Sequence, residues 1–167
     1  MSGRKQKAES GTVAAIAHDS AISYSDVQQR IVCIRDTSVI IDVDVAALYG
    51  VETKHVNQAV RNNRDKFPAD YVFELTSAEV EDLRSKILTT KLSSKSRVAP
   101  KAFTEKGLYM LATILKSKRA VAATFAIIET FAKVRGLKRE LVELHKDGDK
   151  HKQADKMWHL PRPLHHR

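Results

Sequence analysis

A single cysteine, Cys33, serves the whole chain of 167 residues. One thiol closes no internal disulfide, so nothing in the sequence calls for an oxidising compartment. A catalytic thiolate needs an activating neighbour, and the run Ile31-Val32-Cys33-Ile34 reads instead as the core of a strand. Aromatic residues make up only 6% of the chain, so a core must be assembled from Val, Ile, Leu and Ala. No apolar run approaches the roughly 20 residues that span a bilayer. Arg4, Lys5 and Lys7 open the chain, but Glu9, His18 and Asp19 interrupt the stretch after them, which makes a poor secretory signal. A cytoplasmic protein without a membrane partner is expected.

Positive charge, by contrast, is abundant. The formal net charge is +9 and the sequence pI is near 9.7. That excess favours a polyanion, because each phosphate bound releases a condensed counterion. Apolar residues account for 43%, enough for one domain with tails.

The expected architecture is α+β: a small β-hairpin and a helix-turn-helix core of winged-helix type, followed by a long C-terminal helix. Residues 1–24 read as a disordered arm and 25–118 as the core. Residues 119–146 read as a long helix partly packed on that core, and 147–167 as a flexible, His-rich tail. Ile31–Arg35 and Val39–Val43 are β-branched runs around a polar turn at Asp36-Thr37-Ser38, the pattern of a hairpin. Asp42 and Asp44 precede Val45-Ala46-Ala47-Leu48-Tyr49, where a carboxylate can cap a helix and favour its positive end. Gly50 stops that helix. A second helix runs from Thr53 to Asn63 and closes at Phe67-Pro68. Two short helices about a glycine turn form a helix-turn-helix signature. Tyr71–Leu75 alternates as a strand, Thr76 and Glu79 form a capping box, and Ala102-Phe103-Thr104 is extended, with Thr104 placed to cap the next helix. Leu108, Leu111, Ala112 and Leu115 mark the buried stripe of that helix. The last helix carries Val121, Phe125, Ile128, Phe131, Leu137, Leu141 and Leu144 at steps mostly of three and four. The series outruns one small core and predicts contact with a second copy.

The second helix of the pair carries the candidate site. At 100° per residue, Val56, Ala59 and Val60 share one side with Asn63 beside them. Lys54, Gln58 and Arg61 share the other, flanked by Asn57 and Asn62. Arg can donate two hydrogen bonds to guanine, and Asn or Gln can pair with an adenine edge. A helix of this size fits the major groove. Any solvated helix face carries such residues, but their place directly after a helix-turn favours recognition. Lys91, Lys95, Arg97 and Lys101 lie in a basic loop that can act as a wing on phosphates, which position a protein without reading sequence. The alternative is a loop kept soluble by its charge.

The segment "IRDTSVIIDVDVAALYGVETKHVNQAVRNNRDKFPADYVFELT", then "LRSKILTTK" and "PKAFTEKGLYMLATILKSKRAV", resembles the phage ORF-six N-terminal DNA-binding domain of the KilA-N and Bro-N group. The resemblance covers about Val27 to Arg135. It implies a phage or prophage regulator that binds double-stranded DNA. It places the helix-turn segment on Asp42 to Val51 and the DNA-reading helix on Thr53 to Asn63. With the basic loop, the candidate DNA contacts are Thr53, Lys54, Asn57, Gln58, Arg61, Asn62, Arg64, Lys91, Lys95, Arg97 and Lys101. "IRDTS" stands where relatives commonly place a glycine in the turn, and the loop before "AFTE" departs from their glycine- and arginine-rich pattern.

Other chemistry finds less support. His145 and His151 are six apart, outside the spacing of a zinc pair, and no cysteine joins them. There is no phosphate-cradling glycine loop, zinc-protease helix motif or nucleophile elbow. No cofactor, no metal and no enzymatic activity are expected. The competing reading is an antirepressor-type module that binds a repressor protein rather than DNA, and a homodimer is expected in either case.

Overall fold

The structure is a computed structural model describing residues 21–86 and 97–158, with side chains up to residue 150. The order of elements is α1 (Tyr24–Gln28), β1 (Ile31–Ile34), β2 (Thr37–Ile41), α2 (Asp42–Tyr49), α3 (Thr53–Asn62), β3 (Val72–Glu74), α4 (Ser77–Lys86), β4 (Lys101–Thr104), α5 (Glu105–Leu115) and α6 (Lys118–Trp158). The four strands form one antiparallel sheet in the order β1-β2-β4-β3.

Alternation along the strands explains how both faces of the sheet become covered. Ile40 and Phe103 are paired across β2 and β4 and point to one side. There they join Val45, Tyr49, Val56, Leu108, Leu111 and Ile127 in the main core. Val39, Ile41 and Ala102 point to the other side and pack with Leu75 and Leu83 beneath α4. The helical body therefore covers one face and α4 the other.

Local signals account for most helix ends. Thr76 and Glu79 close the capping box: the Thr76 amide donates to Glu79 Oε2 at 2.8 Å, and the Glu79 amide donates to Thr76 Oγ1 at 3.2 Å. The Gly107 amide donates to Thr104 Oγ1 at 3.4 Å at the start of α5. Gly50 ends α2 with φ +67°, a left-handed conformation that costs glycine nothing. Gly107 is required for another reason: a Cβ there would lie 2.1 Å from the Tyr71 carbonyl oxygen, just before β3.

Several expectations need correction. The folded chain starts slightly earlier than residue 25: Ser23 and Asp26 form a capping box that starts α1, which buries Val27 against α6. The hairpin turn is Arg35-Asp36, not Asp36-Thr37-Ser38, and both residues have positive φ, 53° and 59°. A two-residue hairpin connection favours that geometry because it matches the twist of the strands. Cys33 lies in β1 as expected but is exposed, since β1 is an edge strand of the sheet. The N-cap of α2 is Ile41, without a side-chain cap. Asp42 and Asp44 instead stand within the first turn, and Asp44 pairs with Arg30 at 3.7 Å. The last helix continues to Trp158, past the boundary expected at 146.

The largest correction concerns α6. Its buried residues are Ala120, Ala123, Ala126, Ile127, Thr130 and Phe131. Val121, Phe125 and Ile128 are exposed, Phe125 by 66%. Only Phe131 of the seven residues read as one apolar stripe is buried. Of the stripe expected on α5, Leu108 and Leu111 are fully buried and Ala112 and Leu115 half-buried.

Candidate nucleic-acid interface

The helix-turn-helix is formed by α2, the turn Gly50-Val51-Glu52, and α3. Val56 is fully buried and Val60 nearly so. Sealing such side chains from water contributes about 1.5–3 kcal/mol each and fixes which side of α3 faces out. Gln58, Arg61 and Asn62 are exposed on that outer side with Lys54, and Arg64 stands in the 3-10 turn just beyond. Thr53 is half-buried at the start of the helix. Lys54 is steered by Glu52, 2.8 Å away. Asn63 donates to the Ala59 carbonyl at 2.9 Å and is occupied in closing the helix.

Asn57 departs from the expected arrangement. It is half-buried, and its Nδ2 donates to Asp42 Oδ2 at 3.2 Å. Asp42 is 5% exposed and also accepts from the amides of Val43 and Lys101. Burial pushes its carboxyl above the usual carboxylate range, while the bonds from Asn57 and the two amides pull the other way. Asn57 is therefore a strut between the first turn of α2 and the middle of α3, and not a side chain on the outer face.

Two grooves flank α3. One, of about 600 Å³, runs between Thr53 and Asn57 on one wall and Ser77, Arg84, Arg97 and Pro100 on the other. The second, of about 450 Å³, brings Arg61 and Arg64 together with Glu74 and Lys101. Asn57 and Val98 line both. Arg97 is exposed at the rim. Lys101 is covered, its side chain 15% exposed and its Nζ 3.6 Å from Glu74, so it serves to hold β4 against β3. Lys91 and Lys95 lie outside the described residues. Arg84, which sequence reasoning missed, reaches the first groove from α4 while 3.3 Å from Glu81. Its only signal was a basic residue on the helix that leads into the basic loop.

β3 and β4 do pair, Val72 opposite Phe103, but α4 stands between them in the chain and packs on the sheet. Among the described residues no cluster of three or more His, Cys, Asp or Glu side chains could hold a metal ion. No described helix is long and apolar enough to cross a membrane.

The family model of the ORF6N domain matches residues 29–114, which is β1 through α5 with α3 inside it. The chain belongs to the ORF6N family. The ORF6N match includes the helix-turn-helix, both grooves and the sheet, and leaves α1 and α6 outside it. Membership is compatible with a phage-type regulatory domain. No curated protein and no solved structure matches this ORF6N chain.

Proposed function

We propose that this ORF6N protein is a sequence-specific double-stranded DNA-binding regulator of phage or prophage genes, a binder and not a catalyst. One observation carries the reading: the outer face of α3 presents Lys54, Gln58, Arg61 and Asn62 to solvent at the front of a helix-turn-helix. Gln58 and Arg61 have the bidentate geometry that adenine and guanine edges accept in the major groove. Arg64 and Arg97 stand beside the helix, where phosphates would run, and Arg84 adds a third cation in the same position. The net charge of +9 supplies the long-range attraction.

Selection of bound oligonucleotides from a random pool tests the reading, followed by titration of Arg61→Ala on the selected site. Loss of a bidentate base contact costs about 1–3 kcal/mol of specific affinity. Non-specific binding falls far less, and folding changes by less than about 0.5 kcal/mol. Full site preference in both Arg61→Ala and Gln58→Ala would remove α3 from the groove.

The second reading, an antirepressor-type module that docks on a repressor, has its own observation in its favour. Val121, Phe125 and Ile128 form an apolar strip on the solvent side of α6, outside the family match. Exposed apolar patches of this kind mark protein contacts more often than nucleic-acid contacts.

A further inference from the structure

A helix seated in the major groove has phosphates on both sides, because the groove is only about 12 Å wide and a helix with its side chains fills most of it. Arg84 and Arg97 stand on one side of α3, across a groove from Thr53 and Asn57. No residue of α5 lines either groove beside α3, yet α5 packs on α3. It therefore occupies the opposite flank. At 100° per residue, His55 and Ala59 lie on that flank, across the helix from Thr53 and Asn57. The ends of α5 give its direction. Gly107, near its start, touches the Tyr71 carbonyl in the segment that follows α3. Its other end leads through Lys116 and Ser117 into α6, whose Arg119 lies against Gly50: a Cβ there would be 2.3 Å from Arg119 Cδ. Gly50 belongs to the turn that leads into α3. α5 thus runs antiparallel to α3, and the junction of α5 with α6 comes to rest beside the first residues of α3.

That junction is basic. Lys116 and Lys118 are exposed, and no carboxylate among the described residues pairs with either. Lys116 ends α5 at φ +51°, its amide donating to the Ala112 carbonyl at 3.2 Å. Glycine is the usual residue in that left-handed position. Ser117 caps the start of α6, accepting from the Ala120 amide at 2.9 Å. The first turn of α6 carries Lys118 and Arg119 and no acidic residue, where a carboxylate is favoured. Both lysines therefore stand where the fold alone favours another residue, glycine at 116 and an acid at 118. An anionic partner gives a reason for a cation at each. We propose that Lys116 and Lys118 hold phosphates of the DNA strand that borders α3 on its α5 side, opposite the strand met by Arg84 and Arg97. The inference rests on the reading of α3 as a groove-reading helix and adds the second strand to it. Both lysines lie beyond residues 29–114, which match the ORF6N model. Phosphate contacts place a protein without reading sequence, so base preference stays with Gln58 and Arg61.

The test measures fluorescence anisotropy of the full chain on a selected duplex and on a random-sequence duplex, from about 50 to about 200 mM salt. The variant combines Lys116→Gly with Lys118→Gln. Glycine suits the left-handed backbone at 116, so the variant is expected to melt no lower than the wild type while it binds DNA more weakly. The slope of log affinity against log salt is expected to fall by about 2, and affinity by about 30-fold at about 150 mM salt, equally for both duplexes. Lys146→Gln with Lys150→Gln removes the same charge from exposed positions far along α6 and is expected to keep the slope. If the wild type binds and Arg61→Ala loses site preference, an unchanged slope in the junction variant overturns this inference alone. Equal losses in the junction and control variants overturn it too, since net charge then suffices. A loss confined to the selected duplex overturns the assignment to phosphates. A wild type that binds neither duplex removes the DNA reading itself, and this inference with it.

Discussion

Replacing Asn57 by aspartate separates a strut from a base-reading side chain more sharply than an alanine would. The native Nδ2 donates to Asp42 Oδ2 at 3.2 Å. Asn57→Asp sets two carboxylates at that distance, one of them 5% exposed. Two like charges so close repel by about 5 kcal/mol at an effective dielectric constant of about 20. The protein escapes by keeping one proton on the pair. Doing so at pH 7 costs about 4 kcal/mol for a carboxyl of ordinary pKa, since each unit is about 1.4 kcal/mol. Asp42 is already pushed upward by burial, which lowers that cost somewhat, so a loss of about 3 kcal/mol is expected. The pair's folded pKa is raised, so the native state holds more protons than the unfolded chain above about pH 4, and stability falls as pH rises. Urea unfolding should therefore show a large deficit at pH 7 that shrinks steadily towards about pH 4. Asn57→Ala is the companion. It loses one bond to a charged acceptor but also removes Oδ1, which is buried with no partner among the described residues, so a net loss of only about 1 kcal/mol is expected. The reasoning is refuted if Asn57→Asp unfolds at the wild-type urea concentration at pH 7, or if its deficit does not depend on pH. It is also refuted if its only defect is a changed DNA preference.

Two more outcomes are expected from the packing. Arg35 holds the Glu79 carboxyl down at about 2, with help from the Thr76 amide, against an ordinary 4.5. A depressed folded pKa gives stability that is present above pH 4.5 and lost as pH falls towards 2. Urea unfolding across that window should show a steeper loss in the wild type than in Glu79→Gln, and parallel profiles would show that the pair contributes nothing. On α6, Ala123→Leu should cost about 1–3 kcal/mol by overpacking a fully buried position. Phe125→Ala should stay within about 0.5 kcal/mol of wild type, and the reverse order in thermal melts would place the wrong face of α6 in the core.

The features legible in the sequence were local. Thr76 with Glu79, Thr104 before α5 and Gly50 after α2 each act within one helical turn, so their residue types and spacing suffice. The outer face of α3 was legible for the same reason, because Val56 and Val60 fix its orientation. Asn57 was not, because its partner Asp42 is fifteen residues away and reaches it only once α2 and α3 pack. Arg61 and Asn57 look alike as polar residues on a helix, and only the tertiary contact assigns one to solvent and the other to structure. The Arg35-Asp36 turn was missed because Arg35 does not announce a positive φ, although Asp36 is of a type that tolerates one. The guanidinium of Arg35 is held by Glu79 at 2.7 Å and lies over the Phe73 ring at 4.4 Å, contacts made by distant elements that help to hold this conformation.

The α6 error has a different cause. Weighting by size and hydrophobicity selects Val121, Phe125 and Ile128 as core, yet the helix buries Ala120, Ala123 and Ala126 instead. α6 packs on α1, α2 and α5 together, and close approach of backbones favours the smallest side chains. Alanines in the buried stretch and leucines beyond it therefore belong to one stripe, packed on the domain at its start and exposed at its end. Where the partner is the protein's own crowded core, space limits the side chain to a methyl group. Where the stripe leaves that core, the limit is gone and leucine appears at the same phase. The change from Ala120 and Ala123 to Leu137, Leu141 and Leu144 along an unbroken alternation of three and four marks the point where the helix leaves the crowded core that limited its side chains.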